Sequence, residues 1–183
     1  ELFIKLNSYK FRSKVEILNL SNEFVVAVFS REKFLTLENS KDVLGYTTKF
    51  REDPIYLDPR HKDLGARLIT NLEKLHLSLK LLELKSSNLD EYYSVSNKLG
   101  IPQINTDKLQ NNLFGIECNL NELNGIDFKK GCYVGQENTA RIKLKDKLSK
   151  RLFPIEVIEG DLSKDNIIHH ENTELGKVLI NNK

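Results

Sequence analysis

The sequence has no methionine and no tryptophan among its 183 residues, and it has only two cysteines, Cys118 and Cys132. Two cysteines cannot form a disulfide framework, so a reducing compartment is the simpler interpretation. No apolar run reaches the roughly 18 residues of a membrane-spanning helix, and no basic start followed by an apolar stretch marks a secretory signal. These absences argue against a membrane-embedded or disulfide-stapled protein.

Methionine is missing even at position 1, where the chain opens on Glu1. Apolar residues then recur at helical spacing from Leu2 to Tyr9, which is typical of sequence inside a protein. We therefore expect a further N-terminal segment in the full-length protein. The end at Lys183 leaves too few strands to close a sheet, so further C-terminal strands are expected too.

The net charge of +2 is too small to favour nucleic-acid binding by itself. Residues 129–151, however, contain eight basic and two acidic residues, a local charge of +6. A solvated helix and loop is the usual explanation of such a segment, and a basic rim that attracts an anion or a partner surface is the other. Aromatic residues do not alternate with these charges as they do in RNA-stacking platforms, so direct nucleic-acid binding is not expected.

Apolar patterning predicts an α+β protein. A helix at the start is followed by strands at 15–18 and 24–29, a short strand at 55–57, and a second helix that begins at an Asn88 cap and stops at Gly100-Ile101-Pro102. The stretch 67–84 is apolar at both helix and strand periods, so pattern alone does not decide it. After Pro154 helical pattern disappears, and strands are predicted at 153–158 and 177–180. We therefore expect one domain over residues 1–150 and a second over 151–183.

The most informative stretch surrounds Cys132, which lies between Gly131 and Gly135. A short helix predicted from about Gly135 to Ile142 would place the thiol near a positive helix end, with two lysines just before it. Both features favour thiolate, the reactive form of cysteine. The alternative is a small buried cysteine in a tight turn.

The residues around Cys132 resemble the signature of the YgfZ family, folate-binding relatives of the glycine-cleavage T-protein. The matching positions are Lys130, Gly131, Cys132, Tyr133, Gly135, Gln136 and Glu137. Other family segments follow in the same order along nearly the whole chain. They include Asp58-Pro59-Arg60, Leu64-Gly65 with Arg67, Tyr93, Gly100-Ile101-Pro102, Glu117, and the run from Glu122 to Phe128.

The resemblance implies a T-protein-like folate-binding module with ferredoxin-like α/β elements, followed by part of a C-terminal β-barrel. It implies tetrahydrofolate as cofactor, and a role as accessory factor for assembly or repair of iron–sulfur clusters in client enzymes, with tRNA-modifying enzymes among the possible clients. Partners would be iron–sulfur client or assembly proteins. The location would be the bacterial cytoplasm or, in a eukaryote, the mitochondrial matrix. The alternative is a folate-dependent aminomethyl or one-carbon transferase, whose catalytic carboxylate would lie in the expected N-terminal segment.

The same resemblance assigns candidate site residues. Glu117 stands where T-protein relatives place a carboxylate on the pteridine ring, and without the family a surface or helix-cap role would be favoured. Cys132 is the candidate reactive thiol. The remaining candidates for folate binding are Lys130, Tyr133, Gln136, Glu137, Arg141 and Arg67. Arg60, Arg67 and Arg141 are candidate anchors for carboxylates or for loops, and for at least one of them holding a loop is the favoured role.

Resident metal is not expected. Cys118 and Cys132 are 14 residues apart with no second cysteine near either, and the adjacent pair His169-His170 projects in different directions. Zinc sites need grouped ligands and iron–sulfur clusters usually need four thiolates. The sequence therefore predicts no metal ligands, and a cluster would be cargo rather than a part of this chain.

Overall fold

The computed structural model describes residues 2–103, 105–110, 112–145, 148–162 and 167–180. The chain divides into two compact units. The first unit comprises Glu1–Asp58 with Gly65–Ser86, and the second comprises Pro59–Leu64 with Ser87–Lys183. Each unit is a group of residues that pack mainly with one another. This grouping does not test the domain boundary expected near residue 150, which stays a prediction.

The first unit is built on a four-stranded antiparallel sheet in the order β1-β4-β3-β2. Its strands are β1 (Val25–Phe29), β2 (Thr47–Phe50), β3 (Asp53–Leu57) and β4 (Ala66–Thr70). Its helices are α1 (Leu2–Tyr9), α2 (Arg31–Leu35) and α3 (Leu72–Leu81). The β2–β3 hairpin turns at Arg51 and Glu52, both with positive φ, as a two-residue turn of matching twist requires.

One face of this sheet forms the core of the first unit. Burial alternates along β3 and β4, because successive side chains of a strand point to opposite faces. Phe34 of α2 is fully buried against the same face. The buried apolar cluster consists of Phe29, Phe34, Ile55, Leu57, Ala66 and Leu68.

Three residues, Asp58, Gly65 and Arg67, hold the connection between β3 and β4 in place. Asp58 is buried, and its Oδ2 accepts a hydrogen bond of 2.8 Å from Nε of Arg67. Gly65 has φ +72, and a Cβ there would lie 2.0 Å from the carbonyl oxygen of Phe29 on β1. Both the left-handed conformation and the close approach of β1 therefore require glycine at position 65.

The second unit contains two longer helices, α4 (Leu89–Lys98) and α5 (Gln136–Lys145), and a hairpin of β5 (Ile167–His170) and β6 (Thr173–Lys177). Single 3₁₀ turns lie at Lys62–Leu64 and Thr106–Leu109. The predicted caps of α4 are confirmed: the Asn88 side chain accepts a hydrogen bond from Asp90 N, and Gly100 ends the helix with φ +69.

The structure confirms part of the predicted element pattern. The opening helix, the strand within 24–29 and the strand at 55–57 are all present. The undecided stretch 67–84 contains most of strand β4 and then helix α3, and the N-cap residue Asn71 separates the two. The helix expected after the cysteine motif exists and extends three residues beyond the predicted Ile142.

Three predicted strands are wrong or displaced. Residues 15–18 and 153–158 form no strand, and the last strand ends at Lys177, where the sequence predicted it to begin. The two apolar runs lie mostly exposed and pair with no neighbouring strand in the described part of the chain. Apolar alternation alone cannot supply the backbone partners that a strand needs. Pro154 also removes a donor from the second run.

The described helices and antiparallel strands have the mixed composition expected of an α+β protein. The more specific prediction, a T-protein-like module followed by part of a β-barrel, stays a prediction. No helix in the described residues combines the length and apolar character needed to cross a membrane.

Candidate functional site

The cysteine motif forms a turn that leads directly into α5. Gly135 adopts φ +84 immediately before the helix, which explains the glycine at that position. The amide of Tyr133 donates to Oε1 of Gln136 (3.1 Å), and the amide of Gln136 donates to the carbonyl of Tyr133 (3.3 Å). These reciprocal bonds fix the start of α5, so the first role of Gln136 is to hold this turn.

Cys132 is an exposed free thiol in this turn, so the alternative of a small buried cysteine is wrong. A Cβ on Gly131 would meet no atom within 4 Å, which means that no part of the described chain packs closely there. The thiol is therefore open to a partner or a reagent.

Two cation–π contacts organise the residues around the thiol. The Nζ of Lys130 lies 5.0 Å from the ring centre of Tyr133, and the Nζ of Lys143 lies 5.1 Å from that of Phe128. Each distance is within the range of an attractive interaction. The second contact joins Lys143 of α5 to Phe128, two residues before the motif begins at Lys130. The loop that contains Cys132 is therefore closed at its base. No local pattern indicates the pairing of Phe128 with Lys143, because it depends on how α5 folds back.

Glu117 is buried in a separate turn of the second unit, so the surface interpretation of this residue is wrong. Its Oε2 accepts a hydrogen bond of 2.9 Å from the amide of Phe114, which is a capping role within its own turn. The other carboxylate oxygen accepts no hydrogen bond from the described residues. A buried carboxylate with an unused oxygen suits a ligand that presents N–H groups, which is the fit expected for a pteridine edge.

Cys118 follows Glu117 and is partly buried. Burial, and secondarily the negative charge of Glu117, raises the pKa of the Cys118 thiol above its usual value. Both effects disfavour the thiolate, so Cys118 is the less reactive of the two cysteines.

The predicted arginines have different environments. Arg67 belongs to the first unit and forms the ion pair with buried Asp58, which is the loop-holding role considered above. Arg60 donates from Nη2 to the hydroxyl of Tyr92 on α4 (3.2 Å). Arg141 and Glu137 are exposed on α5. Within the second unit, then, only Lys130, Tyr133 and Gln136 among the predicted residues are joined by direct contacts.

A polar cluster that the sequence did not predict anchors the segment after α5. Arg151 donates from Nε to Oδ1 of Asn119 (2.7 Å) and from Nη2 to Oε1 of Glu122 (2.6 Å). The Asn119 side chain donates to the carbonyl of Leu152 (2.9 Å), and Leu152 N donates to the carbonyl of Glu117 (2.9 Å). About thirty residues separate these partners, so no local pattern could reveal them.

A large cavity of the second unit does not coincide with the predicted folate residues. It is an open cleft of about 2560 Å³ with walls from α4, Ile116, residues 150–157 and β6. Ligand pockets for small molecules typically measure 300–1,000 Å³, so this cleft has the size of a groove rather than of a folate pocket. None of the eight predicted site residues is part of its lining. The candidate site is therefore defined by the chemistry around Glu117 and Cys132, not by cavity size.

Metal ligands are not grouped in the described residues. No set of three or more histidine, cysteine, aspartate or glutamate side chains in that part of the chain converges on a point where an ion could bind. For the chain as a whole, the absence of a resident metal stays a prediction from the sequence.

Comparison with known proteins places this chain beside iron–sulfur cluster assembly factors. No protein-family profile matches it. It is 30% identical over 169 residues to the mitochondrial iron–sulfur cluster assembly factor IBA57 homologue of Dictyostelium discoideum, which is 92% of this chain and 41% of that protein. The mouse factor is 32% identical over 88% of this chain and 43% of its own length. The human factor is 34% identical over 102 residues, which is 56% of this chain and 28% of that protein.

The chain spans about two fifths of the length of the first two of these curated relatives. All three are described as mitochondrial assembly factors for iron–sulfur clusters. This agrees with the role in iron–sulfur cluster assembly that the resemblance of the cysteine motif implies. Over nearly all of its residues, the chain is thus homologous to a part of the mitochondrial iron–sulfur cluster assembly factors.

Proposed function

We propose that this chain is the part of an iron–sulfur cluster assembly factor that binds tetrahydrofolate and presents Cys132 to a partner protein. The observation that carries the proposal is the similarity over 92% of the chain to such a factor. The partners would be other assembly proteins or the client enzymes that receive clusters, and the location would be the mitochondrial matrix. The cluster is cargo in this proposal, not a resident group.

The chemistry of the site supports folate binding and contact with a partner protein separately. Glu117 would hold the 2-amino-pyrimidinone edge of the pteridine through its unused oxygen, and the cations Lys130 and Arg141 suit the carboxylates of a glutamyl tail. Tetrahydrofolate supplies a carrier of one-carbon units or of reducing equivalents when bound. Cys132 would contact the partner, because its thiol is exposed in a loop fixed at both ends.

The experiment that tests this function is a rescue assay in cells depleted of the full-length protein. We expect wild-type protein to restore the activity of enzymes that need an iron–sulfur cluster, while a cluster-free enzyme of the same compartment stays unchanged throughout. A Cys132→Ala variant is expected to restore markedly less activity at equal protein level.

The matched control is Cys118→Ala, which removes a thiol that is neither exposed nor favoured as thiolate. It should restore activity as wild type does if it is produced at the same level. Failure of wild-type protein to restore cluster enzymes would remove the proposed function. Full rescue by Cys132→Ala would keep the function but remove the thiol from it.

A further inference from the structure

Helix α5 lacks the packing that normally stabilises a short helix. It has ten residues, and none of them is buried. Isolated helices shorter than about 12–15 residues are marginal in water, and most helical stability in proteins comes from packing of an apolar face. Arg141 and Lys145 are also four residues apart, a spacing at which like charges destabilise a helix. Both facts indicate that α5 is incompletely stabilised by the described chain.

The segment 128–145, which we call the basic segment, carries cations that the described chain leaves unneutralised. Its five basic residues are all exposed, and none of them forms an ion pair with a carboxylate of the described residues. These residues are Lys129, Lys130, Arg141, Lys143 and Lys145. Glu137 is the one acidic residue of the segment. By contrast, Arg151 a few residues later is paired with Glu122.

The basic segment also exposes apolar side chains. Val134 is completely exposed and Leu144 is 87% exposed, while the rings of Tyr133 and Phe128 are each about 40% exposed. Apolar and aromatic anchors surrounded by charges of one sign are typical of protein–protein interfaces.

We propose that the basic segment is a docking surface for a negatively charged protein segment that also carries apolar side chains, and that this partner covers α5 around Cys132. The inference rests on the proposed function, because it describes the chemistry of the partner that meets the thiol. Charge complementarity identifies the partner, because its carboxylates would neutralise Lys129, Lys143 and Lys145, the cations of the segment that are not assigned to the glutamyl tail. The lysines would also give fast, salt-dependent association.

The test measures binding of a fluorescent synthetic peptide to the full-length protein by fluorescence anisotropy. The peptide has fourteen residues of glutamate and aspartate with two leucines, and a second peptide replaces every acidic residue by lysine. We expect the acidic peptide to bind and the basic peptide not to bind. The double variant Lys143→Gln/Lys145→Gln should weaken binding by about two- to tenfold, the range expected for two exposed charge pairs.

The control variant Lys41→Gln/Lys85→Gln removes two exposed lysines outside the basic segment. It is well matched, because Lys41 also lies over an aromatic ring, 5.3 Å from the centre of Tyr46. It should bind the acidic peptide as wild type does. Circular dichroism of both variants checks that the fold is retained.

Three results would overturn the proposal: no binding of the acidic peptide, equal binding by both double variants, or tighter binding of an RNA oligonucleotide of the same charge. The rescue assay separates this failure from failure of the proposed function. If wild-type protein restores cluster enzymes but the peptide does not distinguish the variants, the docking surface alone is wrong.

Discussion

At the scale of single residues, the two cysteines show how environment decides reactivity. Cys132 is exposed in a turn with Lys130 nearby, whereas Cys118 is partly buried and follows Glu117. Burial and the adjacent carboxylate raise the pKa of the Cys118 thiol, and thiolate is the form that reacts with electrophiles. The exposure of Cys132 and the raised pKa of Cys118 therefore both predict that Cys132 is the more reactive thiol.

We expect Cys132 to react with iodoacetamide at neutral pH about tenfold faster than Cys118, or more, because Cys132 is exposed whereas burial and Glu117 raise the pKa of the Cys118 thiol. The measurement is the labelling rate of the single-cysteine variants Cys118→Ser and Cys132→Ser. Labelling in concentrated urea is the control, since the two rates should then converge. A native Cys118 that reacts as fast as Cys132 would contradict the role assigned to exposure.

Several residue-level predictions from sequence hold because they depend on local chemistry. The short helix expected after the cysteine motif is present, and Gly135 just before it has a positive φ. The sequence could not show that Glu117 is buried or that Arg67 pairs with Asp58, since both depend on long-range packing. The folate-binding roles assigned by resemblance stay predictions.

At the scale of elements, an aspartate ties two strands and a helix of the first unit together. Asp53 at the start of β3 is buried, and its Oδ2 accepts a hydrogen bond of 2.5 Å from the hydroxyl of Thr70 at the end of β4. Its Oδ1 accepts a bond of 2.9 Å from Nζ of Lys74 on α3. The bond from Thr70, followed by that from Lys74, lowers the pKa of Asp53 below its ordinary value of 3.8.

Because the pKa of Asp53 is lower in the folded protein than in the unfolded chain, its contribution to stability is complete above about pH 4. It is lost as the pH falls through the lowered folded-state pKa. We expect Asp53→Asn to reduce the free energy of unfolding at pH 7 by about 1–2 kcal/mol. The difference from wild type should shrink below about pH 4, as measured by urea unfolding across pH 3–7.

The control for this experiment is Glu52→Gln, which removes a carboxylate from the exposed pair with Lys49. Exposed ion pairs contribute little, so its effect should stay within about 0.5 kcal/mol at every pH. An Asp53→Asn variant with an equally small, pH-independent effect would show that the contacts of Asp53 do not stabilise the first unit.

Elements were predictable where start and stop signals flank an amphipathic run. Asn88 and Gly100 bound α4 as expected, and the strand expected at 55–57 lies within β3. Prediction failed for residues 15–18 and 153–158, where an apolar run exists but no strand pairs with it. Strand formation depends on a partner elsewhere in the chain, which a local pattern cannot show.

At the scale of the whole molecule, sequence and structure divide the chain by different criteria. The sequence suggested a boundary near residue 150 from a change of pattern, while residues 59–64 pack with the segment beginning at Ser87. That packing includes the bond of Arg60 to Tyr92 and a bond of 2.8 Å from the Asn124 side chain to the carbonyl of Pro59. These bonds join residues 32 and 65 positions apart, and no change in composition signals them.

The proposed tetrahydrofolate binding concerns the full-length protein, and Glu117 is the residue through which it can be tested. We expect the full-length protein to bind tetrahydrofolate in titration calorimetry. A Glu117→Gln substitution keeps the size of the side chain and an acceptor for the amide of Phe114, but it removes the charge that strengthens hydrogen bonds from the pteridine edge. Losing a hydrogen bond to a charged group typically costs about 1.5–3 kcal/mol, so affinity should fall by about tenfold or more.

The matched control for the folate measurement is Glu38→Gln, an exposed glutamate of the first unit, which should leave the affinity unchanged. Unfolding midpoints of both variants distinguish loss of the ligand contact from loss of the Glu117 turn. If Glu117→Gln binds tetrahydrofolate as wild type does, Glu117 is only a buried cap for Phe114. If wild-type full-length protein does not bind it, the cofactor is removed from the proposal, and the exposed Cys132 loop is left as the part of this chain that meets the assembly machinery.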